Sequence, residues 1–192
     1  MPTPLITRIS RTLSALAVTS AIAFAGAPAM AASWTVDPAK STVGFSVAQG
    51  NETITGTFKD WTADIDFDPQ NPEAATIKAT IKTGSAGTGN GQFDAMLPSA
   101  DWFNAEAMPD ATFESSKVTA LGGDTYRADG TLTIKGISQP ATLDFKLEID
   151  GTTAHATGTA SVNRLAHEVG TVVGKSQIAD TVAVTIDLTA TE

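Results

Sequence analysis

The chain has no cysteine, a single tyrosine, two histidines and few basic residues: 12 Lys and Arg stand against 21 Asp and Glu, for a net charge of −9. Each shortage removes a class of function. Without cysteine there is no disulfide framework and no thiol chemistry, so the fold must rest on its core and its backbone ladders. A strongly acidic chain repels phosphate backbones and anionic lipid surfaces, which excludes nucleic acid as a partner. With only His155 and His167 available, acid–base constellations are thin, and no Gly-x-Ser-x-Gly nucleophile elbow occurs. The sequence reads as a non-enzyme.

Long apolar runs are also scarce. The one present, "LSALAVTSAIAFAGA" (13–27), follows Arg8 and Arg11 and precedes Ala29-Met30-Ala31. A basic leader, an apolar stretch and a small-x-small site are the parts of a secretory signal peptide. The run is shorter than the ~20 residues a spanning helix needs. No cysteine follows it to take a lipid anchor. Residues 1–31 are therefore expected to be a cleaved signal, and 32–192 a single exported domain of 161 residues. Losing Arg8 and Arg11 takes its charge from −9 to −11.

Helical periodicity is nearly missing too. One short helix is expected within "NGQFDAMLPS" (90–99), with a further turn at "DWFNAEA". Elsewhere the period is two. Val43, Phe45 and Val47 share a face, and a polar turn at 50–52 leads to Ile54 and Phe58. Ile65 and Phe67 alternate with Asp64, Asp66 and Asp68, and Val182, Val184, Ile186 and Leu188 share a face near the C-terminus. Eight to nine antiparallel strands without intervening helices predict a barrel or a sandwich. The small residues Gly44, Gly56, Ala79, Ala128, Gly130, Ala156, Gly158 and Ala160, taken as inward-facing, favour a hollow barrel over a filled one.

Several motifs fall to plainer readings. "DIDFD" fails as a calcium loop because Pro69 stands where the glycine belongs and Ala75 where the glutamate belongs; it reads as a solvated strand face. "GSAGTGNG" (84–91) has no Gly-Lys-Ser/Thr and reads as a connection into the helix. Two histidines twelve residues apart do not make a metal site, and His167 is expected at a surface or rim.

Three groups of residues then occur in order. Leu97, Ser99, Asp101, Trp102 and Phe103 close the helical segment. Pro109, Phe113 and Ser115 begin a strand. Gly130, Leu132, Thr133, Ile134, Gly136, Ser138 and Pro140 form "GTLTIKGISQP". With "WTVDPAKSTVGFSV" and "GTFKDWTADIDFDP", they make the whole 32–192 region resemble the YceI-like family of periplasmic polyisoprenoid-binding proteins. The family's Arg-x-Asp-Phe-Gly segment departs here to Arg164-Leu165-Ala166-His167-Glu168-Val169-Gly170, which trades an aromatic for a titratable ring.

The resemblance implies an all-β, extended, eight-stranded lipocalin-like antiparallel barrel with one short helix. It also implies a periplasmic binding protein for an isoprenoid lipid of quinone or polyprenyl type, with no cofactor other than such a lipid. A membrane b-type cytochrome is the partner it suggests, and a homodimer is compatible with it. A fatty acid or fatty amide binder, and a ligand-free stress-related structural protein, are the alternatives. Phe45, Phe58, Trp61, Phe67, Phe113, Leu132, Ile134 and Phe145 are expected to line the pocket. Phe93, Met96, Leu97, Trp102 and Phe103 are expected at its mouth, and Arg164 and His167 at a polar rim.

Overall fold

The computed structural model describes residues 32–174 and 176–192; the expected signal segment, 1–31, lies outside them. Eleven strands run β1 Ala32–Val36, β2 Thr42–Gln49, β3 Glu52–Phe58, β4 Trp61–Phe67, β5 Thr76–Lys82, β6 Ala86–Gly87, β7 Asp110–Gly122, β8 Thr125–Ile134, β9 Ile137–Asp150, β10 Thr153–Asn163 and β11 Thr181–Thr191. One helix, α1 Gly91–Met96, precedes β7.

Eleven strands make only eight staves. β1 and β2 both lie against β11, at its two ends, and are separated by a 3-10 turn at Pro38–Lys40. β4 pairs with β1 and β3 with β2, so the first hairpin is long and bent. β5 pairs with β4 and β6 with β3 across a 3-10 turn at Thr83–Ser85. β7 to β11 are unbroken and pair in chain order, and β11 returns to β1 to close the ring. The count expected from sequence, eight to nine, fell short of the strands because three staves are kinked. Closure through β11 and β1 covers the long strand edges and leaves only the two-residue β6 with a single partner, which reduces an aggregation hazard.

Turn chemistry sets the hairpins. β8 and β9 are joined by Lys135-Gly136 alone, with φ of 53° and 73°. Two consecutive positive φ values make a type I′ turn, whose twist matches the flanking strands. At α1, the Asn90 side chain accepts from the Gln92 and Phe93 amides, and Asp94 accepts from the Thr88 amide at 2.6 Å and hydroxyl at 2.7 Å.

Three apolar clusters stack along the barrel. One end is closed by Trp34, Phe67, Tyr126 and Phe145 around fully buried Val118 and Ala128. There Phe67 meets Tyr126 edge-on at 5.0 Å, and the Trp34 indole donates to the Phe67 carbonyl at 3.0 Å. Val43, Trp61 and Leu188 form a second cluster, and Leu97, Trp102, Val169 and Ile178 a third.

The small residues have two different uses. A Cβ on Gly56 would lie 2.3 Å from the Phe45 ring opposite it; on Gly158, 2.9 Å from Phe145. These glycines are filled by neighbouring phenylalanines, whereas Ala79, Ala156 and Ala160 border open space. Gly44 corrects the expectation of an inward face. It alternates with the inward Val43 and Phe45, and its Cβ would meet the Thr185 hydroxyl at 2.8 Å. Gly130 faces the bulge between Ser115 and Lys117, where the Glu114 carbonyl would stand 2.3 Å from a Cβ. Backbone cannot yield as a side-chain tip does. Gly130→Ala is therefore expected to cost about 2–3 kcal/mol by overpacking, read from urea unfolding.

Candidate functional site

The barrel is hollow. Two cavities of about 170 and 150 Å³ lie within it. Each is at least tenfold the ~10–15 Å³ that one water needs on the same measure. They share five wall residues, Val43, Ile81, Leu132, Val162 and Val184, so they lie side by side in the barrel interior with these branched aliphatics between them, and are called its two lobes below.

Alternation is what places the walls. Successive strand residues point to opposite faces, so each stave offers every second side chain to the lumen. The first lobe is bounded by Trp61, Phe67, Phe113, Leu132 and Phe145 among the predicted residues. The second is bounded by Phe45, Phe58, Phe93, Met96, Leu97, Leu132, Ile134, Trp102 and Phe103. All thirteen predicted apolar residues thus lie on one interior. Phe58 bridges the parts of the second lobe, with its ring 5.3 Å from Phe45 and 5.9 Å from Phe103. Trp34, Ile65, Ile77, Leu143, Leu147 and Leu188 complete the first lobe without having been predicted as pocket residues. Their signal was the same alternation, which marks the aliphatics and Trp34 as plainly as the phenylalanines.

A cap closes the end of the second lobe. β5 and β7 pair only as far as Lys82 with Asp110, while β6 pairs with β3. The chain between β6 and β7 brings Phe93, Met96, Leu97 and Trp102 to the second lobe. Leu97 and Trp102 are buried, whereas Phe93 and Met96 are half-buried. The segment is tied to the 164–170 turn by the Gly170 amide, which donates to the Asp101 carbonyl at 2.7 Å. Lys135 adds a second tie by donating to the Ala100 and Glu168 carbonyls at 3.1 and 2.8 Å.

Arg164 and His167 are not a rim. They are 3 % and 2 % exposed. Arg164 donates all five N–H groups to main-chain carbonyls, Ala179 from Nε, Val169 and Gly170 from one terminal nitrogen, Val173 and Ile178 from the other, at 2.7–3.1 Å. Asp180 lies 3.8 Å from the guanidinium. The cation is buried because a loop of carbonyls has wrapped it. His167 packs inward with Nδ1 3.0 Å from the Ile137 carbonyl and borders neither lobe. His155 lies on the outer face against Asp187 at 2.8 Å. The acids of "DIDFD" also face out: Asp64 pairs across from Lys78, and Asp66 accepts from the Thr76 hydroxyl.

Burial raises the Tyr126 hydroxyl at the closed end of the barrel, whereas the shifted carboxylates lie toward the surface. Hydrogen bonds from Thr88 hold the Asp94 carboxyl below its ordinary range. A hydrogen bond from Arg127 does the same for Asp144, and one from Lys146 does so for Glu148. A carboxylate lowered in the folded state stabilises it above the unfolded pKa, and that support is lost as pH falls through the folded value. The melting temperature is thus expected to decline as pH drops below about 4, the ordinary carboxylate range. Asp94→Asn should flatten part of that decline. A pH series of thermal scans checks both.

Comparison with known proteins agrees with this geometry. A YceI-like domain matches residues 34–190. A UPF0312 protein of Azotobacter vinelandii is 36 % identical over 138 residues, covering 70 % of this chain and 71 % of its own. One of Pseudomonas aeruginosa is 37 % identical over 142 residues, covering 72 % and 73 %. The crystal structure of Burkholderia cenocepacia BcnA superposes with a TM-score of 0.77 at 34 % identity, over 81 % of this chain and 99 % of BcnA. The Campylobacter jejuni YCEI protein superposes at 0.68 and 30 %, over 73 % and 86 %. A domain of Saccharophagus degradans described as polyisoprenoid-binding shares the fold at 0.62 but only 14 % identity, over 84 % and 98 %.

Proposed function

This chain belongs to the YceI-like family, and from that membership we propose that it is a periplasmic carrier. Its cargo is a long-chain isoprenoid lipid, of quinone or polyprenyl type, held inside the barrel. The observation that supports this most is the succession of two apolar lobes within one barrel. Two apolar lobes in succession, parted by branched aliphatic side chains, suit a chain laid lengthwise better than a compact ligand. Each CH₂ taken from water contributes ~0.8 kcal/mol, so such a chain binds without any catalytic group. The Saccharophagus domain is described as binding polyisoprenoids, which favours the same ligand class here.

The test is extraction. Protein purified from its native host, treated with organic solvent and analysed by mass spectrometry, should release a lipid with isoprene-unit mass spacing. A fatty acid or fatty amide in the extract would replace the isoprenoid reading. No lipid in the extract, together with no binding of added quinone, would overturn the carrier reading.

A further inference from the structure

We propose that Leu132 is a gate between the two lobes, and that its swing decides how long a lipid chain the barrel accepts. The inference rests on the carrier reading and adds the residue that sets chain length.

The side chains between the lobes lead to it. Val43, Ile81, Leu132, Val162 and Val184 border both cavities and come from five different strands, β2, β5, β8, β10 and β11. A short ligand fits within one lobe. A long chain must pass between these side chains, so at least one of them has to move. Four of the five branch at Cβ, which restricts χ1. Those four are also held from both sides or buried. Val43 and Val162 are buried. Ile81 stands between Trp61 and Ala111, and Val184 between Phe45 and Ala160.

Leu132 is built differently. It branches at Cγ, and a strand readily admits two χ1 settings for such a residue. It borders empty space toward either lobe, so both settings have room. Its neighbours keep to their own sides. Phe113, its cross-strand partner, leans its ring onto Gly130, 2.9 Å from where a Cβ would stand, and borders only the first lobe. Ile134, two residues along β8, borders only the second. Leu132 is thus the one residue of β8 at the boundary, and the one boundary residue whose first side-chain torsion is free to turn. Chain carried past it gains apolar burial in proportion to the length that enters.

The test compares two ubiquinones of one head group, with two and with ten isoprene units. Each is supplied from mixed micelles to delipidated protein, and binding is followed by quenching of tryptophan fluorescence. The quantity read is the ratio of long-tail to short-tail affinity, which cancels a general loss of fit. Leu132→Ile keeps the volume but locks χ1, a swap that cores tolerate. It is expected to lower the ratio at least about tenfold. Tenfold is about 1.4 kcal/mol, roughly what two methylenes held out of the lumen forfeit. Leu132→Met, unbranched and flexible, should stay within about threefold of the wild-type ratio, and Leu132→Ala should raise it. An unchanged ratio in Leu132→Ile, or the same fall in Leu132→Met, would overturn the gate and leave the carrier standing. So would wild-type protein that binds only the short tail. If wild type binds neither quinone, the carrier reading falls and the gate falls with it.

Discussion

Replacing Arg164 with leucine is expected to cost about 3–5 kcal/mol, the usual penalty for removing one member of a buried charged network. The side chain is 3 % exposed and is the donor for five carbonyls between Val169 and Ala179. Bonds to a charged donor contribute about 1.5–3 kcal/mol each, and an orphaned buried acceptor costs about 1–3. The sum is not additive, because water will reach some of the freed carbonyls. For a domain of this size the loss lowers the melting temperature by roughly 10 °C. Arg164→Lys should recover only part of it, since an ammonium keeps the charge but has three donors in place of five. Hydrogen exchange gives the local signature: the amides of Val169, Gly170 and Ile178 should lose protection before those of β9 and β10. Uniform loss across the barrel would refute a local stitch.

This arginine also marks where sequence reasoning stopped. A charged residue and a histidine in a polar stretch normally mean surface. Nothing in "NRLAHEVG" says that carbonyls five to fifteen residues away will converge on the guanidinium; that convergence exists only in three dimensions. The kinked staves were hidden for a related reason. β1 and β2, β3 and β4, and β5 and β6 each alternate well, and alternation is silent about which two strands share a stave. The lumen was more legible. Phe45, Phe58, Phe113 and Phe145 could be placed because strand periodicity assigns a face to every residue once one is known. Gly44 was misplaced against that same rule: between Val43 and Phe45 it could only face out. The family motifs supplied what periodicity could not, the link between "QFDAML" and "DWF" as one cap.

Trp102→Ala should separate the two roles that the cap could have. Trp102 is 7 % exposed, and its ring packs so close to Gly170 that a Cβ there would touch it at 3.0 Å. It also borders the second lobe. Truncation is expected to cost about 3–5 kcal/mol, because the cluster with Leu97, Val169 and Ile178 cannot close over the void. A void that opens into the lobe should also loosen any chain held there. Phe93→Ala is the necessary comparison. Phe93 borders the same lobe from α1 but is half-buried, so its truncation should cost roughly half as much. Bound lipid stabilises by RT ln(1 + [L]/Kd), so melting with and without added isoprenoid reads affinity separately from intrinsic stability. If Phe93→Ala speeds lipid release while barely moving the ligand-free melt, the α1 flank is the passage and Trp102 is the wall behind it. If only Trp102→Ala changes release, and in proportion to its stability loss, the cap is a plug and lipid enters elsewhere.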